Sequence, residues 1–371
     1  MTSPNGATFV IPIVAGIGNA LMAEPMVRQL RAARKGSVIK VIAATRPMAE
    51  PFQRLRGVDV SVSGKGAMKL FGAMRAAGPI DCLIVPFPSN RWQYNLLARQ
   101  SRAEQVIMHA YPAQHRAWLS SVGTRVEAKR GLHDVVQNLR LLEALGLQPD
   151  TAAGPRFELS RNDTDAAADL FRASGIEDRR PFIAVHAGSA RTILAAAKRW
   201  PAAKYAALVR ALLEQTGMAV ALLEGPDERG VAREIVDQFS AVSALTGAPV
   251  AGAAPRLHCL ELAGSLGVAG AVLQRARLYV GTDSGLAHLA AAVGTRAVTL
   301  FAPADPQRVC PFGNHDLVVR PAKDCSPCFM YPWESTKPKM RCCEPYCINE
   351  ISVEMVMEKV RLAMPLHAER V

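Results

Sequence analysis

The chain alternates short apolar, β-favouring runs with longer segments of helical periodicity, and it does so twice along its 371 residues. In the first half, the apolar runs Phe9–Val14 and Ser37–Ala43 flank the segment Ala20–Ala33, whose apolar residues recur every three to four positions. Strands that alternate with helices form parallel sheets, because each helix returns the chain to the same edge of the sheet. The alternation therefore predicts doubly wound α/β sheets with helices on both faces.

The second half repeats this arrangement. Strand Phe182–His186 precedes helix Ala202–Thr216, and a further helical region is predicted over Leu257–Ala276. Between the halves, segment 148–155 contains two prolines and a glycine and breaks the periodicity. At about 100–200 residues per domain, we expect two Rossmann-like domains. The first covers residues 1–160, and the second covers 161–350 and includes a cysteine-rich segment at 310–347. A last helix is expected at 351–371.

Charge and composition narrow the range of partners. The formal net charge of +12 suits nucleic acid, an anionic membrane surface or acidic small molecules. Aromatic residues make up only 6% and the longest basic clusters are as short as 31–35, so no nucleic-acid groove is expected. No run of about 18 apolar residues occurs, and the apolar start lacks a basic leader. We therefore expect a cytoplasmic protein with mostly reduced cysteines.

The sharpest ligand-binding signal is the segment Gly281–His288, which follows the predicted strand Leu278–Val280. Its glycines allow the backbone to approach a ligand closely. The amide groups of Ser284, Gly285 and Leu286 open the next helix, so they would face an anion with the positive end of the helix dipole behind them. A capped helix with nothing bound is the alternative for the same residues.

Two side chains in this segment have separate expected roles. His288 lies in the first turn of the helix and can add a hydrogen-bond donor or a positive charge. Asp283 is unfavourable beside a phosphate, so we expect it to hold the loop, to cap the helix or to accept from a sugar hydroxyl.

Two further loops follow strands in the same half. The first, His186–Ser189, is followed by Lys198, a cation just ahead of a helix start that could pair with a diphosphate. The second, Leu223–Glu228, supplies carboxylates that could accept from ribose hydroxyls, as acidic residues do in dinucleotide folds. A solvated basic turn and a helix cap remain the alternatives for these two loops.

Taken in order, these elements resemble glycosyltransferase family 9, the ADP-heptose:lipopolysaccharide heptosyltransferases. In the first half, Gly16–Pro25 is similar to the opening loop and helix of that family, and His133–Leu142 is similar to its late N-domain helix. The resemblance implies the GT-B architecture, in which two Rossmann-like domains face a central cleft. It also implies that domain 1–160 binds the acceptor and that domain 161–350 binds the nucleotide sugar.

The family implies an inverting glycosyltransferase that moves heptose from ADP-heptose to a lipopolysaccharide core or other saccharide acceptor. The acceptor is expected to be a saccharide or lipid-linked saccharide, and the basic surface would allow peripheral association with the inner face of the cytoplasmic membrane. The resemblance places Lys198 on the pyrophosphate, Ser189 and Ser284–Leu286 around it, and Glu228 on the nucleoside. No metal is required for the departure of the nucleotide diphosphate.

Asn19 departs from the family pattern, because the usual base at this position is an aspartate and an amide cannot accept a proton at neutral pH. Another group could be the base, with Glu24, His109 and His133 as candidates, and Glu24 lies about one helical turn beyond Asn19. Asn19 could instead orient an acceptor that needs no strong base. A third alternative is a protein that binds nucleotide sugar without transfer, or a nucleotide-sugar epimerase or hydrolase of the same fold.

Six of the eight cysteines lie between residues 310 and 347. Cys325 and Cys328 have the two-residue spacing of metal ligands, and Cys342, Cys343 and Cys347 follow. Four thiolates in so short a segment are typical of a tetrahedral structural site for zinc or iron. We predict Cys325, Cys328, Cys347 and one of the adjacent pair, Cys343, as ligands. A reduced cysteine-rich loop is the alternative.

Overall fold

The computed structural model describes residues 6–111, 123–177, 180–188, 195–246, 256–262, 264–329, 331–333 and 346–364. These residues belong to two compact units. Unit 1 contains the chain up to residue 158, residues 307–312 and the described part of 330–339, and unit 2 contains the remainder. Each unit is built on one six-stranded parallel sheet, so the α/β class predicted from the alternation is confirmed.

Unit 1 has the strand order of a doubly wound sheet. Its strands are β1 (Thr8–Ile13), β2 (Val38–Ala43), β3 (Asp59–Val62), β4 (Cys82–Ile84), β5 (Gln105–Ala110) and β6 (Thr124–Glu127). Its helices include α1 (Ile17–Ala33), α2 (Arg46–Gln53), α3 (Ala67–Ala76), α4 (Trp92–Gln100) and α5 (Asp134–Arg140), with a 3-10 turn at Leu141–Leu145. The order β3-β2-β1-β4-β5-β6 places the switch point, where ligands bind in such sheets, between β1 and β4.

The core of unit 1 lies on both faces of its sheet. Phe9 and Ile11 of β1 pack with Leu30 of α1, while Val10 packs on the opposite face with Leu97 of α4. Successive side chains of a strand point to opposite faces, so a central strand covered on both sides must be apolar throughout. This requirement explains the unbroken apolar run at the start of the chain.

Unit 2 repeats the same strand order. Its strands are β7 (Phe182–His186), β8 (Ala219–Glu224), β9 (Leu257–Glu261), β10 (Leu278–Thr282), β11 (Ala297–Leu300) and β12 (Val318–Val319). Its helices are α6 (Arg161–Ala173), α7 (Ala195–Lys198), α8 (Ala202–Thr216), α9 (Val231–Thr246), α10 (Leu266–Arg275), α11 (Gly285–Ala292) and α13 (Val353–Ala363), and α12 (Pro306–Val309) starts in this unit. The order β12-β11-β10-β7-β8-β9 places the switch point between β7 and β10.

Helix α13 is part of the core of unit 2. Its residues Val356, Met357 and Val360 are buried in the same cluster as the central strands. The Trp200 indole Nε1 donates to the carbonyl oxygen of Ile351, just before this helix, at 3.0 Å. Within the described part of the chain, no helix is long and apolar enough to cross a bilayer.

The helix predicted over Leu257–Ala276 is wrong at its start. Residues Leu257–Glu261 form β9, which pairs in parallel with β8, and only Leu266–Arg275 is helical. The short apolar run before Ser265 fits either period, and pairing with the exposed edge of β8 decides for the strand. Ser265 then caps helix α10 by accepting from the Val268 amide at 3.4 Å.

A buried ion pair holds a late segment of the chain in unit 1. Arg308 donates from Nε and Nη2 to the two carboxylate oxygens of Asp134, at 3.0 and 2.9 Å. Its Nη1 donates to the Tyr331 carbonyl oxygen at 2.5 Å, and the guanidinium lies 5.3 Å from the ring centre of Phe87 and 5.9 Å from that of Trp333. Since both side chains of the pair are almost completely buried, neither charge is compensated by water.

Candidate functional site

The candidate site lies in unit 2, where strands β7, β8 and β10 end. The loops after β7 and β10 border the switch point, which is where ligands bind in doubly wound sheets. The Thr282 hydroxyl donates to the Gly188 carbonyl oxygen at 2.9 Å and ties the two loops together. The polar residues of both loops are therefore held together at the carboxyl-terminal ends of the strands.

Helix α11 begins at this end of the sheet, after strand β10, and its first residues are not fully buried. Ser284 is the N-cap residue in extended conformation, with φ −146° and ψ 167°, and its side chain makes no capping hydrogen bond. Ser284, Gly285 and Leu286 are all half-buried. The first amides of a helix have no acceptor within the helix, and the helix dipole favours an anion in front of them. This helix start is therefore suited to bind a phosphate group.

Lys198 reaches the same helix start. Its Nζ donates to Asp283 Oδ2 at 2.5 Å and lies 3.5 Å from the Asp283 carbonyl oxygen. The Asp283 amide in turn donates to the Leu300 carbonyl oxygen at 3.2 Å. An ammonium has three donors, so Lys198 can keep this ion pair and still bind an anion. Asp283 holds the cation at the loop.

A chain of polar side chains connects Glu228 with Ser284. His186 Nε2 lies 2.7 Å from Glu228 Oε2, and its Nδ1 lies 3.3 Å from the Tyr279 hydroxyl and 3.4 Å from Ser284 Oγ. The Tyr279 hydroxyl is 3.2 Å from Ser284 Oγ. The sequence predicted Glu228 and Ser284 but not Tyr279, and it gave His186 no role of its own. His186 and Tyr279 lie in the neighbouring strands β7 and β10, so their closeness can be inferred only once the strand order is known.

Two glycines make room for this chain. A Cβ atom on Gly281 would lie 2.5 Å from the His186 carbonyl oxygen and 2.6 Å from the Tyr279 hydroxyl. A Cβ atom on Gly188 would overlap the carboxyl group of Glu228. Glycine at each position therefore allows a polar group to lie against the backbone.

The charge state of the site follows from burial and pairing. Burial lowers the pKa of His288 to about 4, so this ring is neutral at pH 7. The positive charge considered for His288 is thus absent, and only a hydrogen-bond donor remains. Burial raises the pKa of Glu228, but its hydrogen bond and charge interaction with His186 outweigh this effect, and the net pKa lies below its usual range. Glu228 is therefore ionised at neutral pH.

In unit 1, Asn19 and Glu24 have different surroundings. Asn19 is partly exposed in the first turn of α1, and its amide donates to the Ala15 carbonyl oxygen at 2.7 Å. Glu24 is fully buried and accepts from Arg28 Nε at 2.7 Å and from the Arg156 amide at 2.9 Å. Burial raises its pKa, while Arg28 lowers it. With both oxygens bonded within unit 1, the Glu24 carboxylate does not reach a substrate in this arrangement.

The two histidines considered as bases are also engaged in unit 1. His133 caps α5, with Nδ1 accepting from the Val135 amide at 3.1 Å and Nε2 donating to the Cys310 carbonyl oxygen at 2.7 Å. His109 is fully buried, with ring nitrogens 3.1 and 3.0 Å from the carbonyl oxygens of Val126 and Gln137. Neither ring is placed to take a proton from an acceptor.

His109 makes the stability of unit 1 depend on pH. Burial lowers its pKa from 6.5 to about 4, so below pH 6.5 the unfolded chain binds a proton that the folded chain does not. The contribution of the neutral ring, about 3 kcal/mol, is complete above pH 6.5 and lost as pH falls towards 4. We expect the free energy of unfolding, measured by urea titration, to fall between pH 7 and pH 5, and to fall less in His109→Gln. Gln100→Asn, an exposed change in unit 1 that removes no titratable group, serves as control and should retain the wild-type slope.

Two predicted ligand residues, Ser189 and Cys343, lie outside the described residues. Of the other predicted metal ligands, Cys325 is exposed, Cys328 is half-buried and Cys347 is buried in the core of unit 2. Among the described residues, no group of three or more histidine, cysteine or carboxylate side chains could hold a metal ion. The zinc or iron site stays a prediction.

Comparison with known proteins identifies relatives. The family described as glycosyltransferase family 9 (heptosyltransferase) matches residues 96–337, which is more than half of the chain. The chain is 30% identical to lipopolysaccharide heptosyltransferase 3 of Escherichia coli K12 over 58% of either chain. It is 23% identical to lipopolysaccharide heptosyltransferase 2 of Salmonella typhimurium, over 82% of this chain and 85% of the relative. The matched stretch thus spans little more than half the length of the E. coli relative.

Solved structures agree at the level of the fold. A family 9 glycosyltransferase from Veillonella parvula has a TM-score of 0.74 at 19% identity, over 98% of this chain and 99% of that chain. The E. coli ADP-heptose lps heptosyltransferase II has a TM-score of 0.65 at 20% identity, over 96% and 98%. The likeness confirms the expected GT-B type of fold, and the family match confirms the resemblance seen in the sequence. The chain belongs to glycosyltransferase family 9.

Proposed function

We propose that this protein transfers heptose, with inversion, from ADP-heptose to a saccharide acceptor such as a lipopolysaccharide core. One observation carries the donor assignment: the half-buried residues Ser284–Leu286 open a helix at the switch point of a parallel sheet, and the Lys198 ammonium contacts Asp283, the residue just before them. Amides at a helix start and a cation together suit a diphosphate. The names of the relatives, which are heptosyltransferases, support ADP-heptose as the donor.

In this proposal, unit 2 binds the donor and stabilises the leaving group. The diphosphate lies against the start of α11, and Lys198 offsets the charge that grows on its β-phosphate as the bond to the sugar breaks. Glu228 is ionised and keeps one oxygen on His186. A carboxylate has two oxygens, so Glu228 can also accept from a ribose hydroxyl. His288 is neutral and supplies at most one donor.

Unit 1 binds the acceptor in this proposal. Exposed cations follow four of its strands and would attract a phosphorylated or otherwise anionic saccharide. They are Arg46, Lys65, Arg91, Lys129 and Arg130. The same charges would support peripheral association with an anionic membrane surface at the cytoplasmic side. Asn19, at the start of α1, would orient the acceptor hydroxyl as a hydrogen-bond partner rather than deprotonate it.

Asn19 also favours a second candidate function, which is donor binding without transfer. In the described part of unit 1, the three other candidate bases, Glu24, His109 and His133, all have protein partners. An enzyme that lacks a base for the acceptor would retain affinity for ADP-heptose and release no ADP. A hydrolase would release ADP at the same rate with and without acceptor.

We also propose a structural zinc or iron that is bound by Cys325, Cys328, Cys343 and Cys347 and takes no part in transfer.

Ser284→Asp tests the donor site. Aspartate is a good N-cap residue, so the helix should persist, but its carboxylate would occupy the amides and repel the phosphate. We expect wild-type protein to bind ADP more tightly than UDP or GDP in calorimetry, and Ser284→Asp to lose affinity for ADP at least about tenfold. Ser352→Asp, at the N-cap of α13, is the matched control and should bind as wild type. Unchanged ADP affinity in Ser284→Asp would refute this placement of the diphosphate. ADP release, measured with and without acceptor saccharide, separates transfer from hydrolysis and from binding alone.

A further inference from the structure

We propose that Tyr279 and His186 set the direction of the Ser284 hydroxyl, so that its hydrogen is directed at the donor diphosphate. Both are positioning residues, since they act through Ser284. The inference rests on the proposed donor site at the start of α11. It concerns one hydrogen atom, whose position follows from counting donors and acceptors along the chain from Glu228 to Ser284.

The ionised carboxylate of Glu228 has hydrogen-bond acceptors only, so His186 must donate to it from Nε2, across 2.7 Å. In alkaline solution an imidazole is neutral and carries a single N–H, which leaves Nδ1 as an acceptor. The carboxylate thereby selects the tautomer of His186, and Nδ1 requires a donor from the opposite side.

Two hydroxyl groups compete to donate to Nδ1. The Tyr279 hydroxyl lies 3.3 Å away and Ser284 Oγ lies 3.4 Å away. Tyr279 is fully buried, so its hydroxyl cannot donate to solvent water and must donate to a protein acceptor. Ser284 is half-buried at the helix start, where water or an anion can accept from it. With diphosphate bound, the Ser284 hydrogen has a stronger acceptor than Nδ1, so Nδ1 is left to Tyr279. Burial raises the pKa of Tyr279, so it keeps its hydrogen at neutral pH.

Ser284 is then left with two places for its hydrogen. Without donor substrate it can point to the Tyr279 oxygen, 3.2 Å away. A hydrogen bond to an ionised phosphate is roughly twice as strong as one between neutral groups, so bound diphosphate should draw the hydrogen away from Tyr279. Gly281 is required for this arrangement, because a side chain there would displace the Tyr279 hydroxyl.

Removing the Tyr279 hydroxyl should reverse the direction of the Ser284 hydrogen. In Tyr279→Phe, Nδ1 of His186 has only Ser284 as a donor, and the Ser284 oxygen then presents a lone pair to the phosphate. We expect the affinity for ADP to fall about tenfold, the usual effect of one lost hydrogen bond to a charged group. Phenylalanine keeps the packing of the ring. Tyr205→Phe is the matched control, since its buried hydroxyl contacts the His186 carbonyl oxygen rather than the ring.

A double-mutant cycle separates this role from a structural one. ADP affinity is measured by calorimetry at about pH 9, where an imidazole is neutral, in wild type, Tyr279→Phe, Ser284→Ala and the double variant. Each single change should lower affinity about tenfold, and the double variant should lose no more than either, because the same hydrogen bond is removed. A loss of about a hundredfold in the double variant would mean independent effects and would overturn the inference, as would wild-type affinity in Tyr279→Phe. A wild-type protein that does not bind ADP would overturn the proposed function as well.

A second cycle remains informative if Tyr279→Phe does not fold. In His186→Leu, the Ser284 hydroxyl has lost its competing acceptor, so its hydrogen is available to ADP whether or not Tyr279 is present. Ser284→Ala should then keep its full effect of about tenfold on this background. A Ser284→Ala change without effect in His186→Leu would contradict the assigned direction of the hydroxyl.

Discussion

Asp134→Asn should lower the free energy of unfolding by about 3–5 kcal/mol, the cost of breaking a buried ion pair by removal of one charge. Asparagine matches aspartate in shape, so the loss comes from the Arg308 guanidinium. This cation is only 6% exposed and lies among Phe87, Trp333 and the Tyr331 carbonyl. Without the carboxylate, this cation contacts no other acidic side chain among the described residues, and it has little access to water. The change should therefore open the part of unit 1 that residues 307–312 complete.

Urea unfolding followed by circular dichroism measures this loss. Asp169→Asn provides the control, since Asp169 pairs with Arg172 at the surface and exposed pairs contribute about 0–1 kcal/mol. The double change Asp134→Leu with Arg308→Met removes both charges and should recover most of the stability, because apolar residues of similar volume often replace buried pairs without loss. If Asp134→Asn unfolds within 1 kcal/mol of the surface control, the ion pair does not hold the segment in place.

Under the proposed transfer of heptose from ADP-heptose, Lys198→Ala should reduce kcat by about 10² to 10³, the range seen when one group that stabilises developing charge is removed. In the free protein Lys198 is already paired with Asp283, which offsets part of its attraction for the diphosphate of the bound donor. Its contribution grows as charge accumulates on the departing diphosphate. KM for ADP-heptose should therefore change much less than kcat.

Lys204→Ala is the matched control for this experiment. Lys204 carries the same charge in the same unit but donates to the Ile351 carbonyl oxygen, away from the helix start. It should leave kcat close to that of wild type, because its acceptors, the Asn349 and Ile351 carbonyl oxygens, are not part of the proposed donor site. A Lys198→Ala enzyme with wild-type kcat would remove Lys198 from the transfer step.

Much of the fold could be predicted from the periodicity of the sequence. The strands that could not be predicted were missed for one common physical reason. The last helix, expected within 351–371, lies at Val353–Ala363, and β1 is a central strand, in keeping with its unbroken apolar run. Strand β6 was missed because Thr124–Glu127 is short and lies at a sheet edge with exposed ends. Strand β12 has only two residues. Edge strands bury little, so their sequences carry little apolar signal.

The site was predictable as a set of loops but not as a set of contacts. Lys198, Glu228 and Ser284 could be predicted because each follows a strand, and the carboxyl ends of parallel strands all lie at the same end of the sheet. The pairing of Glu228 with His186 depends on β7 and β8 being neighbours, which the order of strands along the chain does not fix. The burial of Glu24 depends on Arg156, which is 132 residues away in the chain.

Unit 1 is completed by residues that the ribosome adds late. Arg308 lies 174 residues after Asp134, and the Cys310 carbonyl that accepts from His133 comes later still. At about 5–20 residues per second, translation needs roughly 9 to 35 seconds to cover that interval. During this time the nascent first unit holds a carboxylate without its guanidinium, so its last stage of folding must wait until most of unit 2 has been synthesised.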